Sequence, residues 1–379
     1  MSNATPRPAS QLGGASGFFT SNLEGWGNDD LLMTERARAA ARAENPDIYR
    51  VLDWEDLRNA FAIPEKEAMA AKDKSRQVAF WGACAVGAGA ALLALSPLFI
   101  APIIPAAALT GLFFTVGGGL LSLHHLIQTD GRRKWLAKRA KAERLRQFYF
   151  QFFINNLPLT CDAVADAGKF EDLRVARDAA LQTVLTKLTD DEKQRPNLTI
   201  NDHRHRETWL MPTWQNSSAP KRHGTQADGI IEALLHRLAT QRILIQQRYA
   251  EINREIAINT PIAQHSLLDA VGNLLTLGVM AAAIWGGAAL FSGAHHELPI
   301  ALVGVFGAFG VSARLLQRGL SLRADIERYD WYAEVIEACR TRFESGGIEQ
   351  KIFALRDLEA YSYAELRQFL RAHRYESVL

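Results

Sequence analysis

The stretch NDHRHRETW sets His203 and His205 beside Asp202 and Glu207. A His-x-His pair with neighbouring carboxylates is one edge of a zinc site, and zinc needs a third protein ligand at least. None stands nearby in the sequence, so the stretch reads as a solvated polar loop. The stretch AHHEL, with His295, His296 and Glu297, raises a related question. Imidazole titrates near neutral pH, so such a pair could sense protons; the plainer reading is a polar turn. Cys84, Cys161 and Cys339 are scattered, fit no metal spacing and form no disulfide framework. No phosphate-binding loop, dinucleotide fingerprint or nucleophile–base motif is present. The sequence therefore predicts neither an enzyme nor a bound metal or cofactor.

The elements that carry these residues fall into two kinds. Across 379 residues the mean hydropathy is −0.08, as for a soluble protein, but the average conceals a partition. Apolar residues concentrate at 78–127 and 267–316, and charge fills the rest. A helix rises about 1.5 Å per residue, so about 20 apolar residues cross a bilayer core of about 30 Å. Residues 78–95, 106–127, 267–291 and 299–316 each meet that length approximately and are apolar all round, unlike the one-sided helices of a soluble core. The expectation is an all-α integral membrane protein, with two transmembrane helical hairpins making four spans and a cytoplasmic helical bundle.

Lys and Arg set the orientation. Eight of them lie between Arg132 and Arg146, after the second span. More precede the first and third spans and follow the fourth, while the two hairpin turns carry none. Both turns are thus expected outside, with both termini in the cytoplasm of a bacterial inner membrane. On this reading Arg132, Arg133, Lys134 and Trp135 meet lipid headgroups, His124 and His125 sit at headgroup depth, and Phe148 and Tyr149 extend an aromatic belt. A net charge of +2 argues against nucleic acid as a partner.

The predicted divisions are a disordered arm over 1–28, cytoplasmic helices over 29–77, a hairpin over 78–127, and a cytoplasmic helical region over 128–266 with an irregular loop at 190–225. A second hairpin covers 267–316 and C-terminal helices 317–379. Within these, helices are expected from Asp29 to Ala43, from Trp54 to Phe61, and from Pro64 to Arg76. Near the C-terminus Ser362 and Glu365 have the spacing of a capping box that starts a last helix.

Ionisable groups are nearly absent from the spans. Asp269, in the first turn of the third, is a pore-mouth candidate, followed by Asn273 and Thr276. Gly304, Gly307 and Gly310 put small residues along the fourth span, where they suit close helix packing or a pore wall. Four such spans enclose little alone, so a homo-oligomer within the lipid bilayer is expected.

The plan occurs twice: a charged helix, two spans, a charged helix. The exit helices read AERLRQFYFQFF and LRADIERYDWYAEV. Three segments of the second half, QQRYAEINREIAINTPIAQHSLLDAVGN (246–273), ERYDWYAEVIEACRTRF (327–343) and LEAYSYAELRQFLRAH (358–373), resemble the SLATT group of bacterial membrane effectors. The resemblance implies a pore-forming or membrane-perturbing effector in antiphage defence. It also implies a silent state held until a nucleotide signal or protein regulator arrives from the cytoplasmic side. The alternative is a non-conducting membrane-anchored scaffold or sensor.

Overall fold

A computed structural model describes residues 29–127, 129–194, 224–259, 265–292, 297–320 and 322–375. Among them the chain is helical with no strand. The helices are α1 (Glu35–Glu44), α2 (Pro46–Leu52), α3 (Glu55–Leu95), α4 (Ile104–Ile127), α5 (Thr129–Asn155), α6 (Leu157–Ala165) and α7 (Phe170–Gln194). They continue as α8 (Gly224–Ala239), a π-turn (Thr240–Leu244), α9 (Ile245–Asn259), α10 (His265–Ser292), α11 (Glu297–Leu320), α12 (Leu322–Ser345) and α13 (Ile348–Tyr375).

Local chemistry explains the starts. The predicted helix from Asp29 begins six residues later. The Asp29 carboxylate accepts from the amides of Met33 and Thr34, closing a turn in which Leu32 takes φ 56°. Thr34 then caps α1, its hydroxyl accepting from the Ala37 amide at 3.2 Å. Pro46 starts α2 as much as it ends α1, because the Asn45 side chain accepts from the Ile48 amide and Pro46 stands in the first turn.

Two other expectations give way. The helices predicted over Trp54–Phe61 and Pro64–Arg76, and the span after them, form the single 41-residue α3. Pro64 lies inside it. A proline there forgoes one backbone hydrogen bond, which the packing of α3 along α5 offsets: Ala68 sits in a small core with Trp135, Leu136, Ala140, Leu366 and Leu370. Likewise Ser362 caps nothing. The last helix runs unbroken from Ile348, and the Ser362 hydroxyl is 2.8 Å from that of Tyr332.

One large core is built from α2, α3, α5–α9, α12 and α13. At its centre Trp54 meets Phe148, Phe152 and Phe153 at ring separations of 5.2–6.0 Å, and the Tyr149 hydroxyl donates to the Leu52 carbonyl. Phe148 and Tyr149 are therefore core residues, not an interfacial belt. Their neighbours, Phe150, Phe152 and Phe153, point inward as well, because α5 is surrounded on several sides.

Among the described residues three helices are long and apolar enough to cross a membrane, over Phe80–Leu98, Ala270–Ala289 and Glu297–Arg314; the apolar stretch Ile104–Leu120 is shorter. They pack as a row, α4 on α3, α3 on α11, and α11 on α10. Neighbours run antiparallel. Gly111 lies by Gly89 and Gly118 by Ala85; Gly304 lies by Ala94 and Gly87 by Ser312; Gly278 lies by Phe306 and Gly286 by Pro299. Large apolar side chains such as Trp81, Phe113, Leu277 and Ile284 cover the outside.

Candidate functional site

The predicted site residues do not gather. A Cβ on Gly304 would come within 2.6 Å of the Ala94 Cβ on α3. One on Gly310 would meet Leu275 of α10 at 4.0 Å, and one on Gly307 would meet nothing. The three glycines thus face different surroundings and do not act as one stripe. The tight approach is elsewhere: a Cβ on Gly89 would stand 2.5 Å from the Thr115 amide nitrogen, and one on Gly111 would stand 2.7 Å from that of Leu93. Asn273 and Thr276 are exposed on α10, and the Thr276 hydroxyl donates back to the Gly272 carbonyl. The Asp269 side chain, the His203/His205 stretch and the His295/His296 pair lie outside the described residues.

Among the described side chains of the α5 comb, Lys138, Arg139, Arg144 and Arg146 turn to partners within the bundle. Trp135 is buried edge-to-face on Phe369, which leaves it little surface for lipid. Lys138 pairs with Glu67, Arg139 with Glu65 and Glu143, and Arg144 lies over the Tyr363 ring. Glu65 and Glu67 come from α3 and Tyr363 from α13, helices distant in sequence, so the pairing is invisible to a count of positive charge. Arg132, Arg133 and Lys134 stand in the first turns of α5, their side chains outside the described residues.

The comb leads into a buried chain of alternating charge. Arg146 of α5 lies 2.6 Å from Glu143 and 3.1 Å from Asp30. Asp30 also accepts from Arg242 at 2.9 Å and from Gln246 at 3.0 Å. Arg242, inside the π-turn, donates twice to Glu359 of α13, at 2.6 and 3.1 Å. The Tyr332 hydroxyl of α12 donates to Gln246 at 3.4 Å. The guanidinium of Arg242 covers Phe150, and that of Arg146 covers Phe61. Asp30 and Glu359 have no solvent exposure at all.

Comparison with known proteins brings no match. No family model, no curated protein and no solved structure aligns with this chain. The site must be read from its own chemistry.

Burial at this junction works against charge, and the guanidiniums work for it. Burial alone would raise Glu143, but Arg139 and Arg146 beside it pull its carboxyl down to about 2. At Asp30 burial outweighs Arg146 and Arg242, and its carboxyl is raised. Burial dominates at Glu359 too, which is pushed up to about 7 against the pull of Arg242. A second triplet, Arg328 with Asp325 and Glu365, joins α12 to α13. Such networks lose several kcal/mol when one partner is removed and gain little over apolar packing, so they act chiefly by specifying an arrangement. The π-turn has a local role here, since its wider winding delivers Arg242 to two carboxylates at once. Short π segments often mark functional sites.

Sequence reasoning missed this junction. The signal was available: Arg242 falls four residues after Leu238 on an apolar face, and Glu359 lies between Leu355, Leu358 and Ser362. A charge on a buried face demands a partner.

An open cleft of about 530 Å³ lies between α1, α2 and α7. Arg42, Arg50 and Arg177 line it, but so do Asp53, Glu55 and Asp56, and the charges balance. Arg177 donates to the Val51 and Asp53 carbonyls and Arg50 to that of Ala163, which are helix-end roles.

Proposed function

We propose that the chain is a regulated multi-pass membrane effector of the bacterial inner membrane. A cytoplasmic helical bundle controls four spans, with both termini cytoplasmic. The observation that carries this reading is the inside-out build of the α4–α3–α11–α10 row. Glycine and alanine fill its seams and large apolar residues cover its exterior, as helix pairs in lipid require. Taken over its full 24 residues, α4 is about 36 Å long and can serve as the fourth span. The alternating directions bring the C-terminal ends of α3 and α10 to the same end of the row, which supports this topology.

The row encloses no path of its own, so conduction requires several copies. Open glycines on its outside, Gly119, Gly287 and Gly307, suit contacts between copies. An apolar pore wall can gate by dewetting without buried charge. The SLATT-like segments direct this activity towards antiphage defence, with a nucleotide signal or protein regulator acting on the bundle. Arg132, Arg133 and Lys134 are the lipid headgroup contacts of this reading.

The test is ion flux from liposomes containing the full chain, with reporter fusions at Ala294 and after Leu379 fixing topology. Flux, with the two fusions on opposite sides, supports the effector. Reporters on the same side overturn the four-span arrangement. The second reading is a non-conducting scaffold, in which the tightly seamed row, backbone to backbone at Gly89 and Gly111, serves only to anchor the bundle. Opposite-side reporters without flux, in the presence of the neighbouring gene products, would establish that scaffold.

A further inference from the structure

We propose that the junction of Asp30, Arg242 and Glu359 is a proton-operated lock, which holds residues 29–33 as a strap on the cytoplasmic bundle and releases them as pH rises. This regulation belongs to the bundle and holds whether or not the spans conduct.

The strap is built to be held. Asp30, Leu31 and Leu32 are buried, and Leu32 sits in the left-handed region with φ 56°. That conformation is unfavourable for a leucine, so it persists only where the surroundings over-determine it. The anchors are the Arg146 and Arg242 contacts of Asp30, and two bonds from Arg38 to the carbonyls of Leu32 and Met33.

The buried chain runs Glu65, Arg139, Glu143, Arg146, Asp30, Arg242, Glu359. It therefore holds four carboxylates against three guanidiniums, and one added proton balances it. Asp30 and Glu359 compete for Arg242. With Glu359 protonated, the full charge of Arg242 serves Asp30. With Glu359 ionised, its two-pronged contact claims Arg242 and the strap loses part of its hold. The titratable and charged groups facing Glu359 are Arg242 of the π-turn, Asp30 of the strap, Glu143 of α5, and Tyr332 and Cys339 of α12, whose thiol burial holds neutral. Burial lifts Tyr332 well out of the physiological range, so it stays neutral. The Arg144–Tyr363 and Lys351–Glu232 contacts also tie α13 to α5 and α8.

The direction follows from linkage. Burial holds the carboxyl of Glu359 at about 7 in the folded chain against its ordinary 4.5. Its contribution is complete below 4.5 and is lost as pH rises towards 7. Loosening is communicable, because the chain touches α3 and α5, and Gln246 and Tyr332 lie on α9 and α12. Those four helices lead to the apolar row.

The test uses the full chain in lipid nanodiscs, with thermal unfolding and chymotryptic cleavage at Leu31–Met33 followed from pH 5 to 8. The wild type should lose several degrees of Tm as pH rises, and strap cleavage should accelerate by up to about tenfold per pH unit in the steepest part. Glu359→Gln should flatten both profiles and match or exceed the wild-type Tm at pH 8. Should that variant fail to fold, Asp30→Asn also balances the charges and should likewise flatten the Tm profile. A wild-type Tm that is level or rises with pH overturns the lock. So does a folded Glu359→Gln, or in its place a folded Asp30→Asn, that keeps the wild-type slope, since that identifies a plain ion pair. Failure of both variants to fold also overturns it, because a balanced lock must tolerate one neutral partner.

Discussion

Glu65 and Gly89 stand on the same helix, roughly 36 Å apart along its axis, and hold it to its neighbours by opposite means. Around Glu65, α3 meets α5 through Arg139 and Glu143, and long side chains reach between backbones. Around Gly89, α3 meets α4 chiefly through the backbone at Gly111 and Thr115, with only the Phe114 Cβ beside it. The contrast reflects the solvent each end is suited to. In water, apolar burial already drives association, and charge selects which helices meet. In lipid there is no such drive, so close van der Waals approach must supply the contact.

The sharpest way to break the comparison is at the charged end. Arg242→Ala leaves Asp30 and Glu359 buried without their shared cation and should cost about 3–5 kcal/mol. Denaturant unfolding of the chain in micelles reads this directly; a loss below about 1 kcal/mol would mean the junction behaves like a surface ion pair.

Glu143 supplies the next effect. Its carboxyl sits at about 2 in the folded chain against 4.5 unfolded, so its contribution is present above 4.5 and lost as pH falls through 2. That amounts to about 3 kcal/mol. Glu143→Gln should blunt acid unfolding and, because it removes a carboxylate whose charge raises Glu359, should also shrink the Tm shift between pH 6 and 8. An unaltered acid limb would remove Glu143 from the network.

At the apolar end Gly111→Leu should force α3 and α4 apart, at a cost of about 1–3 kcal/mol. Engineered cysteines at Ala85 and Gly118 would report it through lost cross-linking. Undiminished cross-linking would show that the seam is looser than the close approach of Gly89 and Gly111 implies. The smallest effect belongs to Gly307→Leu, which meets open space and should stay within about 0.5 kcal/mol. If that variant folds normally yet loses assembly, Gly307 lies between copies; if it unfolds the protomer, the row is packed differently.

Helical class and the apolar blocks were legible because both are local properties. A run such as that after Val78 contains no charge, whatever surrounds it. Element boundaries were less so. Pro64 and the Ser362/Glu365 pair carry strong local signals, yet α3 and α13 pass straight through them, since Ala68 and Tyr332 supply contacts that outweigh them. On the sequence alone the α5 comb means a lipid contact, because eight positive charges follow an apolar run. Glu65, Glu67 and Asp30 lie tens of residues away and change it.

The amino-acid order by itself determined where water must be excluded and where charge must gather, since these depend only on the transfer free energies of successive side chains. The tertiary structure alone decided which charges are buried and which glycines are contacts. Arg146 and Arg242 become interior cations, and Gly89 and Gly111 become the seam while Gly307 stays open. Each of those outcomes depends on a partner brought from elsewhere in the chain. Interaction energies fall off within a few ångströms, so only the folded arrangement sets which pairs come that near.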